Sequence, residues 1–187
     1  MEIFLKNAQQ IHPLSTELIE HLSTVVKVLK LSNGHILLKE RDIAKHIYFI
    51  EQGFARCYYM KDGKDITQWF MSTGDAMISV FSFFNQTPSL EYIELLEDSV
   101  LLCTSYADLQ ELYRKFPEFN VIGRVLTEKY YILSEERAIA LRSMTAQERY
   151  ADLLKKHPKI LQKASLKHIS SYLGIAPETL SRIRAKK

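Results

Sequence analysis

The sequence predicts an α+β chain in three parts: an N-terminal antiparallel β jelly roll over 1–117, a long connecting helix over 118–143, and a small helical domain over 144–187. Three observations predict it. Short runs rich in Val, Ile, Tyr and Phe fill residues 25–105, with turn residues between many of them. Residues 118–142 hold no Pro and a single Gly, Gly123. The charge is divided as well. From Met144 onward ten basic residues face three acidic ones, a balance of +7, whereas the first 143 residues carry fifteen basic and nineteen acidic, −4.

Each element follows from its own residues. PLSTELIEHLST (13–24) sets Leu14, Leu18 and Leu22 four apart, the spacing of a short helix. VVKVLKL (25–31), HILLKE (35–40), HIYFIEQG (46–53), ARCYYM (55–60), ITQWFM (66–71), YIELLE (92–97) and VLLCTS (100–105) read as strands. Asp62-Gly63 between two of them predicts a hairpin, because a primed turn needs positive φ. Strands this short and regular close into a barrel or sandwich such as a jelly roll. YADLQELYRKF (106–116) then reads as a helix ended by Pro117.

The long helix would run about 37 Å at 1.5 Å per residue. Ile122, Val125, Leu126, Ile132, Leu133 and Ile139 give it an apolar stripe, interrupted by Lys129 and Glu136. Such a stripe is buried against the chain's own roll or against a second copy. A mixture is expected, with a symmetric helix–helix contact. TAQERYADLLKKH (145–157) opens on Thr145 with Glu148 three residues on, a capping box.

Composition narrows the function classes. Apolar residues are 47% and charged residues 25%, a soluble globular profile. No apolar run approaches the roughly 20 residues that span a bilayer, and the N-terminus carries no signal pattern. A cytoplasmic protein without membrane contact is expected. Cys57 and Cys103 each sit alone in a strand-like run and read as buried free thiols, not metal ligands. An enzyme of the metal-dependent jelly-roll kind needs converging ligands and commonly a His-x-His pair. His12, His21, His35 and His46 are scattered, so neither an enzyme nor a metal or other cofactor is predicted.

The most specific stretch is LKHISSYLGIAPETLSRIRAKK (166–187). Ser165 can cap a helix whose Leu166, Ile169 and Leu173 share one face. Ser170 is small where a second helix would cross. Gly174 suits a turn needing positive φ, and Pro177 suits the first position of the next helix. Leu180 and Ile183 return that helix to the core. Glu178, Ser181 and Arg182 remain on or near the far face, with Thr179 beside them. This is a helix-turn-helix pattern. Arg binds guanine O6 and N7 bidentately and Glu accepts from cytosine N4. Lys167, Arg184, Lys186 and Lys187 are placed to meet phosphates, and the second helix's N-terminus also faces them. The same residues could instead form a helical hairpin for protein contact.

The order of these parts resembles the Crp/Fnr superfamily of transcription regulators. HIYFIEQGFARCYYMKDGKDITQWFMSTGD (46–75) looks like its cyclic-nucleotide-binding-type roll, and PETLSRI (177–183) like its recognition helix. The resemblance implies a homodimer joined along the long helix, on an imperfect DNA palindrome with half-sites near 34 Å apart. It implies double-stranded DNA, a second copy of the chain and RNA polymerase as partners. Glu178 and Arg182 match base-reading positions and Thr179 a backbone-contacting one. Pro177 stands where the family often has Arg, so the target sequence should differ. The sequence ends at this helix, so a winged-helix-like domain with a short or missing wing is expected. A rotation about Arg142-Ser143-Met144 would carry a signal between the parts.

The sensor departs from the family's pattern. Its cyclic-nucleotide cassette has a Glu for the ribose and, about ten residues later, an Arg for the phosphate. Here those positions fall on Ile78-Ser79 and Ser89-Leu90. Glu91, Glu94 and Glu97 nearby would repel phosphate, and a buried anion without a cation is strongly disfavoured. Cyclic AMP is not expected as effector. Met77, Ser79, Phe81 and Ser89 are the candidate pocket residues, and FSFFNQ (81–86) reads either as a more apolar pocket or as plain roll core. The Cys cluster of oxygen-sensing members is missing, and no His stands out as a haem ligand. The competing reading of the whole chain is a ligand-binding roll whose basic helical tail docks a protein partner.

Overall fold

In a computed structural model that describes residues 1–185, two helices, α1 (Glu2–Ile11) and α2 (Thr16–Val25), lead into the roll. The strands are β1 (Lys27–Leu31), β2 (Ile36–Leu38), β3 (His46–Gln52), β4 (Phe54–Lys61), β5 (Lys64–Ser72) and β6 (Ala76–Met77), then β7 (Tyr92–Leu95) and β8 (Ser99–Ser105) after helix α3 (Val80–Asn85). Helices α4 (Tyr106–Lys115), α5 (Pro117–Ser143), α6 (Ala146–Lys156), α7 (Ile160–Lys163), α8 (Leu166–Leu173) and α9 (Pro177–Ala185) complete the described chain. None of them is long and apolar enough to cross a membrane.

The strands form two four-stranded antiparallel sheets, ordered β1-β8-β3-β6 and β2-β7-β4-β5. Alternation buries Ile50 and Leu101 from one sheet against Met71, Ile93 and Leu95 from the other. Asp62 and Gly63 turn β4 into β5 with φ of 51° and 73°, both positive as a primed hairpin turn requires. Cys57 and Cys103 are free and buried. Leu18 and Leu22 of α2 and Leu109 and Leu112 of α4 pack on the same core. Ser15 and Ser105 cap these two helices by accepting from the N–H of Leu18 and Asp108. Helices α1, α3 and α7 and strand β6 were not predicted. The N–H groups of Ile3 and Phe4 at the start of α1 donate to the Glu51 carboxylate, 3.2 and 2.9 Å away, a partner remote in sequence.

Helix α5 has 27 residues and two apolar faces, which corrects the single stripe. Phe119, Ile122, Leu126, Tyr130, Leu133 and Arg137 follow one another at three–four spacing and turn toward the chain itself. Ile122 is 1% exposed, so it cannot serve a contact between copies. Val125, Ile132 and Ile139 recur every seven residues on another row, and Ile132 is 57% exposed. The sequence stripe merged these two rows.

The helical domain has a core that it does not build alone. Tyr150, Leu153, Ile160, Ile169, Leu173 and Leu180 pack with Phe54 and Phe70 of the roll. Those two rings stack at 5.6 Å.

Candidate nucleic-acid interface and ligand cradle

Local chemistry fixes the geometry of α8 and α9. Thr145 and Glu148 make the expected capping box at the start of α6. The Ser165 hydroxyl accepts from the His168 N–H at 3.2 Å and starts α8. Gly174 ends it in the left-handed region with φ 66°. Its N–H donates to Ser171 O and the Ile175 N–H to Ser170 O, both at 3.0 Å, which closes a Schellman-type turn. Ser170 is buried at the crossing, and Leu180 and Ile183 pack back into the core. The polar face of α9 is left open: Pro177, Glu178, Ser181, Arg182 and Arg184 are exposed and Thr179 is half-buried. Among the described residues Arg182 makes only a long 3.4 Å bond to the Glu178 carbonyl. Glu178 and Arg182 therefore stand one turn apart with their side chains exposed. Lys186 and Lys187, named as phosphate contacts, lie outside the described residues.

Several basic residues of this domain face the roll instead. Lys167, still 68% exposed, lies 3.4 Å from Asp65, and Lys163 lies 2.6 Å from Glu97. Lys156 is bound between Asp152 and Glu136. The Ser171 hydroxyl accepts from the Thr67 N–H at 2.9 Å and donates to Asp65 O at 3.1 Å, so α8 extends the edge of β5. Behind this edge the buried Arg56 pairs with Glu94 at 2.7 Å and Asp65 at 3.2 Å and lies 4.0 Å over the Tyr58 ring. Burial alone would raise the Asp65 carboxyl, but Arg56 and Lys167 hold it below the usual carboxylate range. Burial first, then the Arg56 charge, draws His168 down.

The candidate ligand residues do not form one open site. Met77, Ser79 and Ser89 are buried, with Ser79 at 1% and Ser89 at 2% exposure, but Phe81 is 65% exposed and turned outward. This corrects its assignment to a pocket. FSFFNQ forms most of α3, where only Phe83 of its three Phe side chains reaches the core. The two serine hydroxyls lie 3.1 Å apart, and Ser79 donates to the Glu91 carboxylate at 2.7 Å. Burial, then Glu91, pushes the Cys57 thiol up. A carboxylate thus lies against the two serines that stand at the positions the resemblance gives to the nucleotide-binding residues. Sequence reasoning had the repulsion but not its reach: Glu91 enters the cradle and takes up the serine donor. Among the described residues no cluster of His, Cys, Asp and Glu could hold a metal ion.

Residues 28–116 match the cyclic nucleotide-binding domain family. No curated protein matches the chain in sequence. Solved structures match its fold at low identity. FixK2 from Bradyrhizobium japonicum superposes with a TM-score of 0.75 at 20% identity, over 87% of this chain and 84% of that one. CLP, described as a c-di-GMP responsive global regulator of Xanthomonas campestris, gives 0.72 at 16%, over 92% and 91%. The catabolite activator protein of Thermus thermophilus gives 0.59 at 18%, over 94% and 84%. Residues 28–116 are therefore similar to the cyclic nucleotide-binding domain family, and the chain has the fold that these regulators share.

Proposed function

We propose that this chain is a DNA-binding transcription regulator of the Crp/Fnr type. It works as a homodimer on a palindromic site, with the roll (1–117), the long helix (118–143) and the helical domain (144–187) as its functional parts. One observation carries the reading: α9 buries Leu180 and leaves Glu178, Ser181 and Arg182 exposed and, among the described residues, without a strong partner. Glu178 and Arg182 read base edges, Thr179 and the N-terminal end of α9 with Pro177 approach the backbone, and Ser165, Lys167 and Arg184 hold phosphates. Ser165 does so through the start of α8, since its hydroxyl is the cap. Lys167 must leave Asp65, or share its charge with it, to reach DNA.

The outward row of α5, Val125, Ile132 and Ile139, joins two copies. Its seven-residue spacing is that of a paired helix, and Ile132 and Ile139 are exposed and Val125 half-buried, while Phe119 and Ile122 of the inward row are buried. Cyclic AMP is not the effector: the Glu91 carboxylate already takes the Ser79 donor, and a second anion beside it would be repelled.

Selection from a pool of random duplexes tests the reading. The expected result is an enriched palindrome with half-sites about one turn apart. Weak binding without a consensus, even at low salt, would favour a tail that docks a protein. Ile132→Glu should yield monomers by light scattering and lose the palindrome's affinity.

A further inference from the structure

A cavity of about 230 Å³ lies where roll, long helix and helical domain meet. Trp69 and Phe70 of β5, Leu133 of α5 and Tyr172 of α8 form much of its wall. Two guanidinium groups also line it, Arg137 from α5 and Arg149 from α6.

Their bonds set them apart from the other charges there. Arg137 Nη2 donates to Tyr172 O at 2.8 Å, and the guanidinium stacks 3.8 Å over the Tyr172 ring. Arg149 Nε donates to Leu173 O at 3.0 Å, and its Nη1 to Met144 O at 2.5 Å. All these acceptors are neutral carbonyls. Among the described residues the acids of the cavity bond groups other than these two guanidiniums. Glu136 and Asp152 lie 3.3 and 3.1 Å from Lys156. Asp75 accepts from the Ser72 N–H at 2.9 Å and from the Tyr130 hydroxyl at 3.4 Å. Burial lowers the Arg137 pKa, more than its contacts with Tyr172 raise it. A guanidinium brings five donors, so donors remain after these carbonyls. Two cations sharing a half-buried cavity, with no carboxylate on either among the described residues, are costly until an anion joins them.

We propose that this junction cavity binds a small aromatic anion, a carboxylate or phosphate ester whose oxygens take Arg137 and Arg149 and whose ring packs on the aromatic wall. Guanidinium groups favour both headgroups through paired bonds. The site is separate from the Ser79–Ser89 cradle. Arg137 and Arg149 hold the carbonyls of the last two residues of α8, so an anion that draws off their donors alters the hold on the helix-turn-helix. That consequence rests on the DNA-binding reading; the binding itself does not.

Trp69 is the only tryptophan of the chain and lines the cavity, so its emission reports occupancy without DNA. The full chain is titrated with benzoate, phenyl phosphate, inorganic phosphate and benzylamine. A saturable change with benzoate or phenyl phosphate is expected, weaker with inorganic phosphate, and none with benzylamine. Which aromatic anion binds tighter assigns the headgroup. Arg137→Gln and Arg149→Gln should each weaken binding at least about tenfold. Should they fail to fold, Ala140→Leu narrows the cavity, keeps both guanidiniums and should also abolish the change. Ser89→Ala should leave it intact. No saturable response in the unaltered chain overturns the proposal. So does an equal response to benzylamine, or undiminished affinity in a folded Arg variant or in Ala140→Leu.

Discussion

The recognition helix and the ligand cradle are two short stretches that arrange similar residues in opposite ways. In 177–185 the apolar Leu180 is buried and the polar Glu178, Ser181 and Arg182 face outward. In 79–91 the polar Ser79 and Ser89 are buried and bonded to each other, while Val80, Phe81, Phe84 and Leu90 are exposed. A polar group without an internal partner is available to another molecule. One already paired offers a ligand little, because each new bond must replace an old one. The difference separates a surface arranged to receive something from a cradle that satisfies itself.

Leu180→Ala breaks the first half of this comparison most directly. Removing a fully buried Leu should cost about 2–5 kcal/mol. It should lower the denaturant midpoint of the helical domain, and with it any DNA binding. A smaller loss is expected from Thr145→Ala, about 0.5–2 kcal/mol, because it removes the capping box of α6. Thermal melting checks it.

Acid should loosen the contact between α8 and β5 to a lesser degree. His168 faces Arg56, Asp65, Glu94 and Lys167 and is held neutral in the fold by burial. Released, it would take a proton near the ordinary value of about 6.5. Its contribution is therefore fully present above that pH and is lost as pH falls through its lower folded value. His157, drawn down by burial beside Phe54, acts in the same direction. A series of denaturation midpoints from neutral to mildly acid pH should show the decline, and His168→Gln should flatten part of it. The smallest expected effect sharpens the other half of the comparison. Cyclic AMP should leave the melting temperature unchanged, whereas saturation at 100 times Kd would add about 2.7 kcal/mol. A clear rise would overturn the reading of Ser79, Ser89 and Glu91.

Much of this was legible in the sequence because its signals are local. Alternating strands, Asp62-Gly63, Thr145 with Glu148, and Gly174 followed by Pro177 each act within a few residues. Helix α1 was missed because its start is satisfied by Glu51, far along the chain. The rest of the helical domain's core was missed for the same reason: Phe54 and Phe70 reach it from the roll. No local spacing reveals that Ser171 bonds Thr67 and Asp65, more than 100 residues earlier. The long helix was half legible, since one composition serves an inward row and an outward row that only packing separates.

Arg182→Ala tests the central claim most directly. Its affinity is measured against the selected palindrome and against every single-base variant of one half-site. The account predicts a loss of about 1–3 kcal/mol on the consensus, with discrimination relaxed at one base pair per half-site and kept elsewhere. An equal loss across all sequences, or no loss, would contradict base reading by α9.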